Sequence, residues 1–325
     1  MALLRPLRLI SVGSILADVR MEIPNLPEKG GDVLGANTNV TAGGGFNILA
    51  AAARNGLTTI FAGRHGEGPY GTRIRADLAR EGIATLLPPD QQKDSGFCVV
   101  LVEPDGERTF ITSPGVEAEL GARSLEDIPL RDGDAIFVSG YDLSYPDLGT
   151  AIASWIGGLS HDVLVVVDPG PLVAQIPTNV LAPVLSKTSI LTLNEREAGL
   201  FSAASCAAEI AESVRPRLAP GALLVLRKGA AGCEVAGGGL LPPSLHIPAP
   251  SVAMIDSTGA GDAHTGVLIA ALAAGLDPVS AVSRANAAAA MSVTRRGPAT
   301  APGKEELDAF LAAADRRRER QAARI

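Results

Sequence analysis

Ile255-Asp256-Ser257-Thr258-Gly259-Ala260-Gly261-Asp262 joins small residues to a carboxylate, directly ahead of an apolar run at 264–276 with the length and composition of a helix. A Gly-Ala-Gly turn opening a helix leaves several backbone N–H groups pointing one way, and the helix dipole adds partial positive charge there. Together they make an anion site with no side chain in the way. A carboxylate such as Asp262 repels an anion and is out of place in a site built for binding alone. It makes sense as a base that takes a proton from a nucleophile attacking a phosphate. The octapeptide by itself is equally compatible with an ordinary first-turn Asp behind a glycine turn.

The elements that must hold such a site are those of a large α/β protein. The chain has 325 residues, 46% of them hydrophobic, with a mean hydropathy of +0.23 and only 3% aromatic residues. Its core is therefore built from Ala, Val, Leu and Ile, and its length allows one large core without disulfides. The net charge of −7 argues against non-specific nucleic-acid binding. The basic run Arg316-Arg317-Arg318 alternates with Asp315 and Glu319 and reads as a solvated helix end. Cys98, Cys206 and Cys233 have no metal-type spacing, and the four histidines (His65, His161, His246 and His264) do not cluster. No secretion signal and no membrane-length apolar run is apparent. The expected setting is cytoplasmic, with no membrane and no nucleic-acid partner.

Along the chain, residues 7–12 read as a buried first strand, and 19–40 as two short exposed strands with Pro and Gly turns. Gly43-Gly44-Gly45 opens an Ala-rich helix over 46–55, followed by a strand at 58–62 and a helix at 70–81. Asp105-Gly106 between β-rich runs at 96–102 and 109–112 signals a hairpin. That hairpin and the strands within 19–40 are least like a βα unit and are expected to pair into a small separate sheet. From residue 134 strands alternate with helices. Strands are expected at 135–139, 163–168, 189–193, 223–227 and from 232, and helices at 147–157, 179–185 and 195–201. The alternation predicts a doubly wound, mainly parallel sheet, which binds ligands at the C-terminal ends of its strands. Asn194, Lys228 and Asp256 fall just after strand-like runs, and Asp18 a few residues after one.

Five segments in one order resemble the ribokinase-like (PfkB) carbohydrate kinases over essentially the whole chain. They are Val12-Gly13-Ser14-Ile15-Leu16-Ala17-Asp18, Gly43-Gly44-Gly45-Phe46-Asn47, Asn194-Glu195-Arg196-Glu197, Asp256 through Asp262, and Val293-Thr294-Arg295-Arg296-Gly297. The hairpin from Leu101 to Phe110 most resembles a poorly characterised bacterial sugar-kinase branch. The resemblance implies one domain over residues 1–325, with β-lid strands at about 19–41 and 96–113 that close over the sugar and pair with a second subunit as a homodimer. It implies ATP and Mg²⁺. Asp262 is then the base that deprotonates the acceptor hydroxyl, and Gly259, Ala260 and Gly261 the anion hole. Asp18 binds sugar hydroxyls; Asn47 approaches the sugar with either Gly43 or Gly44; Asp142 falls near a further sugar-binding carboxylate. Asn194 and Glu197 organise Mg²⁺ and its waters. Arg227-Lys228-Gly229 and Asn286 fall where the family lines its nucleotide pocket. Asp256, with backbone oxygens near Thr258, Ser292 and Gly297, resembles a K⁺ site, although Ala301 stands where ribokinase has a serine.

Two departures narrow the substrate. Leu16 replaces an asparagine of the ribose-specific members, and no arginine follows Asp168-Pro169 as in the sugar-acid kinases. The expectation is phosphorylation of a hydroxymethyl group on a sugar. A nucleoside is the nearest alternative, with Phe97 and Phe110 able to supply a stacking wall. A non-catalytic sugar-binding regulator would have lost the base or the anion hole, and both are intact. A nicotinamide oxidoreductase would need Gly-x-Gly-x-x-Gly after the first strand, and Gly13-Ser14-Ile15 lacks it.

Overall fold

The computed structural model describes residues 5–159, 162–201, 207–239 and 244–322. Cys206 and His161, and the side chains of Arg317 and Arg318, lie outside the described residues. In chain order the first half contains β1 (Arg8–Ser11), β2 (Ala17–Glu22), β3 (Ala36–Ala42), α1 (Gly45–Arg54), β4 (Thr58–Phe61), α2 (Pro69–Arg80), β5 (Ala84–Thr85), β6 (Phe97–Val102), β7 (Arg108–Ser113), α3 (Ala122–Glu126), β8 (Asp134–Ser139), α4 (Gly140–Ser144) and α5 (Pro146–Gly157). The second half adds β9 (Leu164–Asp168), α6 (Thr178–Lys187), β10 (Thr188–Asn194), α7 (Glu195–Phe201), α8 (Ala207–Val214), β11 (Leu223–Arg227), β12 (Cys233–Gly237), β13 (Leu245–Ile247), α9 (Ala260–Ala273), α10 (Pro278–Ser292) and α11 (Lys304–Ala322).

Among the described residues the strands form two sheets. The larger has nine strands in the order β13-β12-β11-β10-β9-β8-β1-β4-β5. From β11 to β5 every pairing is parallel, while β11/β12 and β12/β13 are antiparallel. The inner parallel strands, such as β8, β9 and β11, are buried on both faces, as a sheet covered by helices requires. Alternate residues of one strand therefore enter different cores. Leu9, Phe137 and Val166 pack with α1 and α9, while Ile10, Ile136, Val138, Val165 and Val167 pack with α5 and α6. Each fully buried Leu, Ile or Phe contributes on the order of 1.5–3 kcal/mol. The strand order reverses at β1, which has β4 on one side and β8 on the other. The crevice at that switch point is where an open α/β sheet takes its ligand.

The smaller sheet has the order β3-β2-β6-β7, so the hairpin and the two early strands do pair outside the main body. Its register sorts the two faces. Thr41, Asp18, Cys98 and Thr112 share a row, as do Asn39, Arg20, Val100 and Phe110. The opposite face carries Val40, Val19, Val99 and Ile111 in one row.

Helices α9 and α10 are central to the site. The sequence reading began α9 at 264; the helix starts at Ala260, which puts Asp262 in its first turn. Residues Ala263–Leu272 are buried on all sides, as expected of a helix apolar around its whole circumference. Gly266 lets α1 approach: a Cβ there would stand 2.4 Å from the Ile48 carbonyl oxygen and 2.7 Å from the Ala51 Cβ. Helix α10 was not anticipated, although its start is marked in the sequence. Pro278 occupies the first turn, and Asp277 caps it by accepting from the Val279 and Ser280 N–H groups.

Candidate active site

Asp262 sits in the first turn of α9, one residue past the Gly-Ala-Gly turn. Gly259 has φ +72°, and a Cβ on it would lie 1.9 Å from the Pro298 carbonyl oxygen. Only glycine satisfies both conditions. The Asn47 amide, in the first turn of α1, donates to Asp262 Oδ2 at 2.9 Å. Residues 215 positions apart thus meet because Gly266 brings α1 and α9 together. The buried Asn47 Oδ1 has no protein partner. Burial pushes the Asp262 carboxyl up to about 6; the Asn47 bond opposes this, Asp168 and Glu197 add to it, and Arg227 offsets it.

Asp18 projects from β2 toward the same place. Among the described residues its carboxylate makes no hydrogen bond. Burial, and secondarily the charge of Asp262, push it up to about 7. Gly43 leaves the room it occupies: a Cβ there would fall 2.0 Å from Asp18 Oδ2. Gly44, at φ +64°, instead faces the Ser14 carbonyl. Of the two glycines, Gly43 is the one beside the carboxylate.

The C-terminal ends of β9, β10 and β11 bring Asp168, Asn194 and Arg227 side by side, with Asn194 opposite Arg227 in register. Asn194 and Glu197 form a reciprocal helix start. The Asn194 side chain accepts the Glu197 N–H at 2.9 Å, and Glu197 Oε2 accepts the Asn194 N–H at 2.8 Å. Glu197 is buried, which raises its pKa; Asp168 adds to that and Arg227 opposes it. Tyr141, half exposed after β8, faces the same carboxylates. Burial raises its phenol, and Asp262, Glu197 and Asp168 raise it further.

A cavity of about 370 Å³ adjoins the turn. Asn194, Gly229, Asn286, Ala260 and Gly261 line it, together with Arg227 and His264. Lys228 is not in this wall. Successive residues at a strand end point to opposite sides, so Arg227 turns inward while Lys228 pairs with Glu234 at 2.6 Å. The sequence takes Arg227 and Lys228 together toward the nucleotide pocket, and the structure turns only Arg227 to the cavity. His264, given no role from sequence, forms part of the wall. Burial holds its pKa down to about 3, so it is uncharged. Its Nδ1 is buried without a partner, and its Nε2 lies 3.3 Å from Cys233 Sγ. The Asn286 amide donates to the Ile247 carbonyl at 2.9 Å and thereby ties α10 to β13.

Two carboxylates turn out to be committed internally. Asp142 is buried and accepts from both the Ser14 N–H (2.8 Å) and hydroxyl (2.6 Å), with its other oxygen packed on Gly13. It fastens α4 to the end of β1 instead of opening toward a ligand. Asp256 accepts from the Thr258 N–H (2.9 Å) and hydroxyl (2.5 Å) and the Gly297 N–H (3.0 Å). The lid's Arg108 supplies the positive charge there: its guanidinium lies 3.6 Å from Asp256 and bonds the Ser257 and Thr258 hydroxyls. The carboxylate suggested for a monovalent cation is thus already faced by a guanidinium and three donors. A second link joins lid and body, from Arg296 to Glu22 at 3.1 Å. Among the described residues, no group of three or more His, Cys, Asp or Glu side chains could cage a metal. No helix there is long and apolar enough to cross a membrane.

Comparison with known proteins gives this geometry a lineage. A sugar kinase of Escherichia coli (strain K12), YegV, described as uncharacterised, is 32% identical over 309 residues, 91% of each chain. The ribokinase of Haemophilus influenzae is 29% identical over 318 residues, 92% of this chain and 97% of its own. Among solved structures, the ribokinase of Thermotoga maritima superposes with a TM-score of 0.78 at 23% identity, over 94% of this chain and 99% of the other. The model of the pfkB family of carbohydrate kinases matches residues 7–305. The chain belongs to that family and is a sugar kinase.

Proposed function

We propose that the protein transfers the γ-phosphoryl group of ATP to a hydroxymethyl group of a neutral sugar. One observation carries the reading. Asp262, poised to titrate near pH 6, stands in the first turn of α9 beside the Gly259–Gly261 turn, held by Asn47 and flanked by the unbonded carboxylate of Asp18. Asp18 accepts from sugar hydroxyls, and the orphan Asn47 Oδ1 accepts another. Asp262 takes the proton of the attacking hydroxyl. The first-turn N–H groups of α9 meet the charge on the transferring group, a preorganised arrangement worth about 3–4 kcal/mol per lost donor in other systems. The cavity beside the turn suits a nucleotide. Asn194, Gly229 and Asn286 border it, and Asn194 and Glu197 are the residues that would hold the waters of Mg²⁺, which supplies charge neutralisation at the phosphates. We assign Asp142 and Asp256 to bracing the loops that carry the site.

The carboxylates Asp18, Asp168, Asp262 and Glu197 surround the acceptor position, so an acidic sugar would enter against repulsion. A nucleoside acceptor is supported by Phe110, 57% exposed on the face that carries Asp18. Phe97 is committed elsewhere, stacked on Tyr70 with ring centroids 4.9 Å apart. The outer face of the lid, with Val40, Val19, Val99 and exposed Ile111 in one row, supports pairing with a second copy.

The test is ADP release from Mg²⁺-ATP across pentoses, hexoses, sugar acids and nucleosides, with Asp262→Asn as the blank. Turnover with a neutral sugar, lost by about 100-fold or more in Asp262→Asn, is the expected result. Equal turnover in that variant, or a sugar acid as best acceptor, would overturn the assignment.

A further inference from the structure

The proposed transfer brings an anion into a ring of carboxylates, and something must balance it. Asp18, Asp168, Asp262 and Glu197 converge on this region, while Arg227 is the one basic side chain lining the adjoining cavity among the described residues. His264, in the same wall, is neutral.

Arg227 ends β11 with its guanidinium turned toward the start of α9. Nη1 lies 2.8 Å from Asp168 and 3.5 Å from the Thr265 hydroxyl, and Nη2 lies 3.4 Å from Glu197. A Cβ added to Gly261 would stand 2.8 Å from Nη1. The guanidinium therefore rests against the backbone of the turn itself, in space that a Cβ at Gly261 would crowd. Its buried Nε has no partner. Two carboxylates aim the fork without using all of its donors.

We propose that Arg227 is a catalytic residue that contacts the transferring γ-phosphoryl group, and that Gly261 lacks a side chain in order to admit it. The inference rests on the kinase reading above. In the transfer, the acceptor oxygen bonds to the γ-phosphorus as the bond from phosphorus to the β–γ bridging oxygen breaks. The hydroxyl proton passes to Asp262 and ADP leaves. A planar guanidinium suits the spread of charge over phosphoryl oxygens better than an ammonium does. The alternative is that Arg227 only neutralises Asp168 and Glu197. The two roles separate in a nucleotide lacking the γ-phosphate.

The experiment is titration calorimetry with ADP and with the β,γ-imido analogue of ATP, no acceptor present, on the parent, Arg227→Gln, Arg227→Lys and the double variant Arg227→Gln/Asp168→Asn. The expected result for Arg227→Gln is near-parental ADP affinity and about tenfold or greater loss for the imido analogue, as for a lost charged hydrogen bond. Arg227→Lys recovers part of the difference. The double variant, whose local charge is rebalanced, stays deficient, and its kcat remains down by about 100-fold or more. An unchanged ratio of the two affinities in Arg227→Gln, or its return to the parental value in the double variant, would overturn the inference and leave the kinase reading standing. A parent that binds neither nucleotide would overturn the kinase reading, and this inference with it.

Discussion

Asp262 and Asp18 are held where ionisation is opposed. Burial raises one to about 6 and the other to about 7, and the charge of Asp262 adds to the shift at Asp18. A base must be ionised to accept a proton, so the active form is the high-pH form. The expected pH dependence of kcat/KM, which reports the free enzyme, is a plateau above about 7 and a fall as pH drops through about 7 and then 6, because protons load first on Asp18 and then on Asp262. A profile flat down to about pH 5 would contradict the assignment. Asp18→Ala should raise KM for the acceptor about 10- to 100-fold, in line with 1.5–3 kcal/mol for hydrogen bonds to a charged group. The KM for ATP should stay within about twofold, and an equal rise in both would make Asp18 structural. At this scale the sequence was readable where chemistry is local. The turn, Asp262, Asp18 and Asn47 were all named from spacing and resemblance. Tyr141 and His264 were passed over, and Arg227 was read only as one of a run with Lys228, because nothing in a strand-end residue or an isolated ring tells which way it faces.

The site exists because α1 and α9 lie close enough for Asn47 to reach Asp262. Gly266 is the residue that permits it, since a methyl group there would meet the Ile48 carbonyl at 2.4 Å. Gly266→Ala should cost about 1–3 kcal/mol through overpacking, lower the unfolding midpoint, and reduce kcat with little change in nucleotide affinity. Parental stability and turnover in that variant would mean that α1 and α9 have slack the packing does not show. The alternation of strand and helix was legible because buried parallel strands read as apolar runs between helical segments. β12 was legible as a strand from residue 232, but its antiparallel pairing and the edge strand β13 were not, since a short edge strand has no long-range signature in its own residues. Helix α10 carried its start signal in Asp277-Pro278, and its length followed from packing against α9.

At the scale of the molecule, the lid is tied to the body beside the turn that opens α9, through Arg108 to Ser257 and Thr258, and again through Glu22 to Arg296. A closed lid excludes water from the transferring group. Its outer face leaves Ile111 59% exposed in a four-residue apolar row. A parent that elutes as a dimer and an Ile111→Glu variant that elutes as a monomer, by light scattering, is the expected outcome; a monomeric parent would remove the proposal. The hairpin that builds this lid was evident from Asp105-Gly106. Its partners, and the face each residue takes, follow only from the pairing of β2 with β6 across most of a hundred residues of chain.

The sequence by itself determined the βα alternation, the hairpin, and a Gly-Ala-Gly turn with its carboxylate at a helix start. These depend on neighbours in the chain: periodicity, turn residues and the conformational freedom of glycine. Tertiary structure decided which groups share a site. It turned Arg227 inward and Lys228 outward, absorbed Asp142 against Ser14, set Arg108 on Asp256, and placed Asn47 on Asp262, 215 residues away. The reason is physical. A side chain's charge state and partners are set by burial and by groups brought from other elements, and local sequence carries neither.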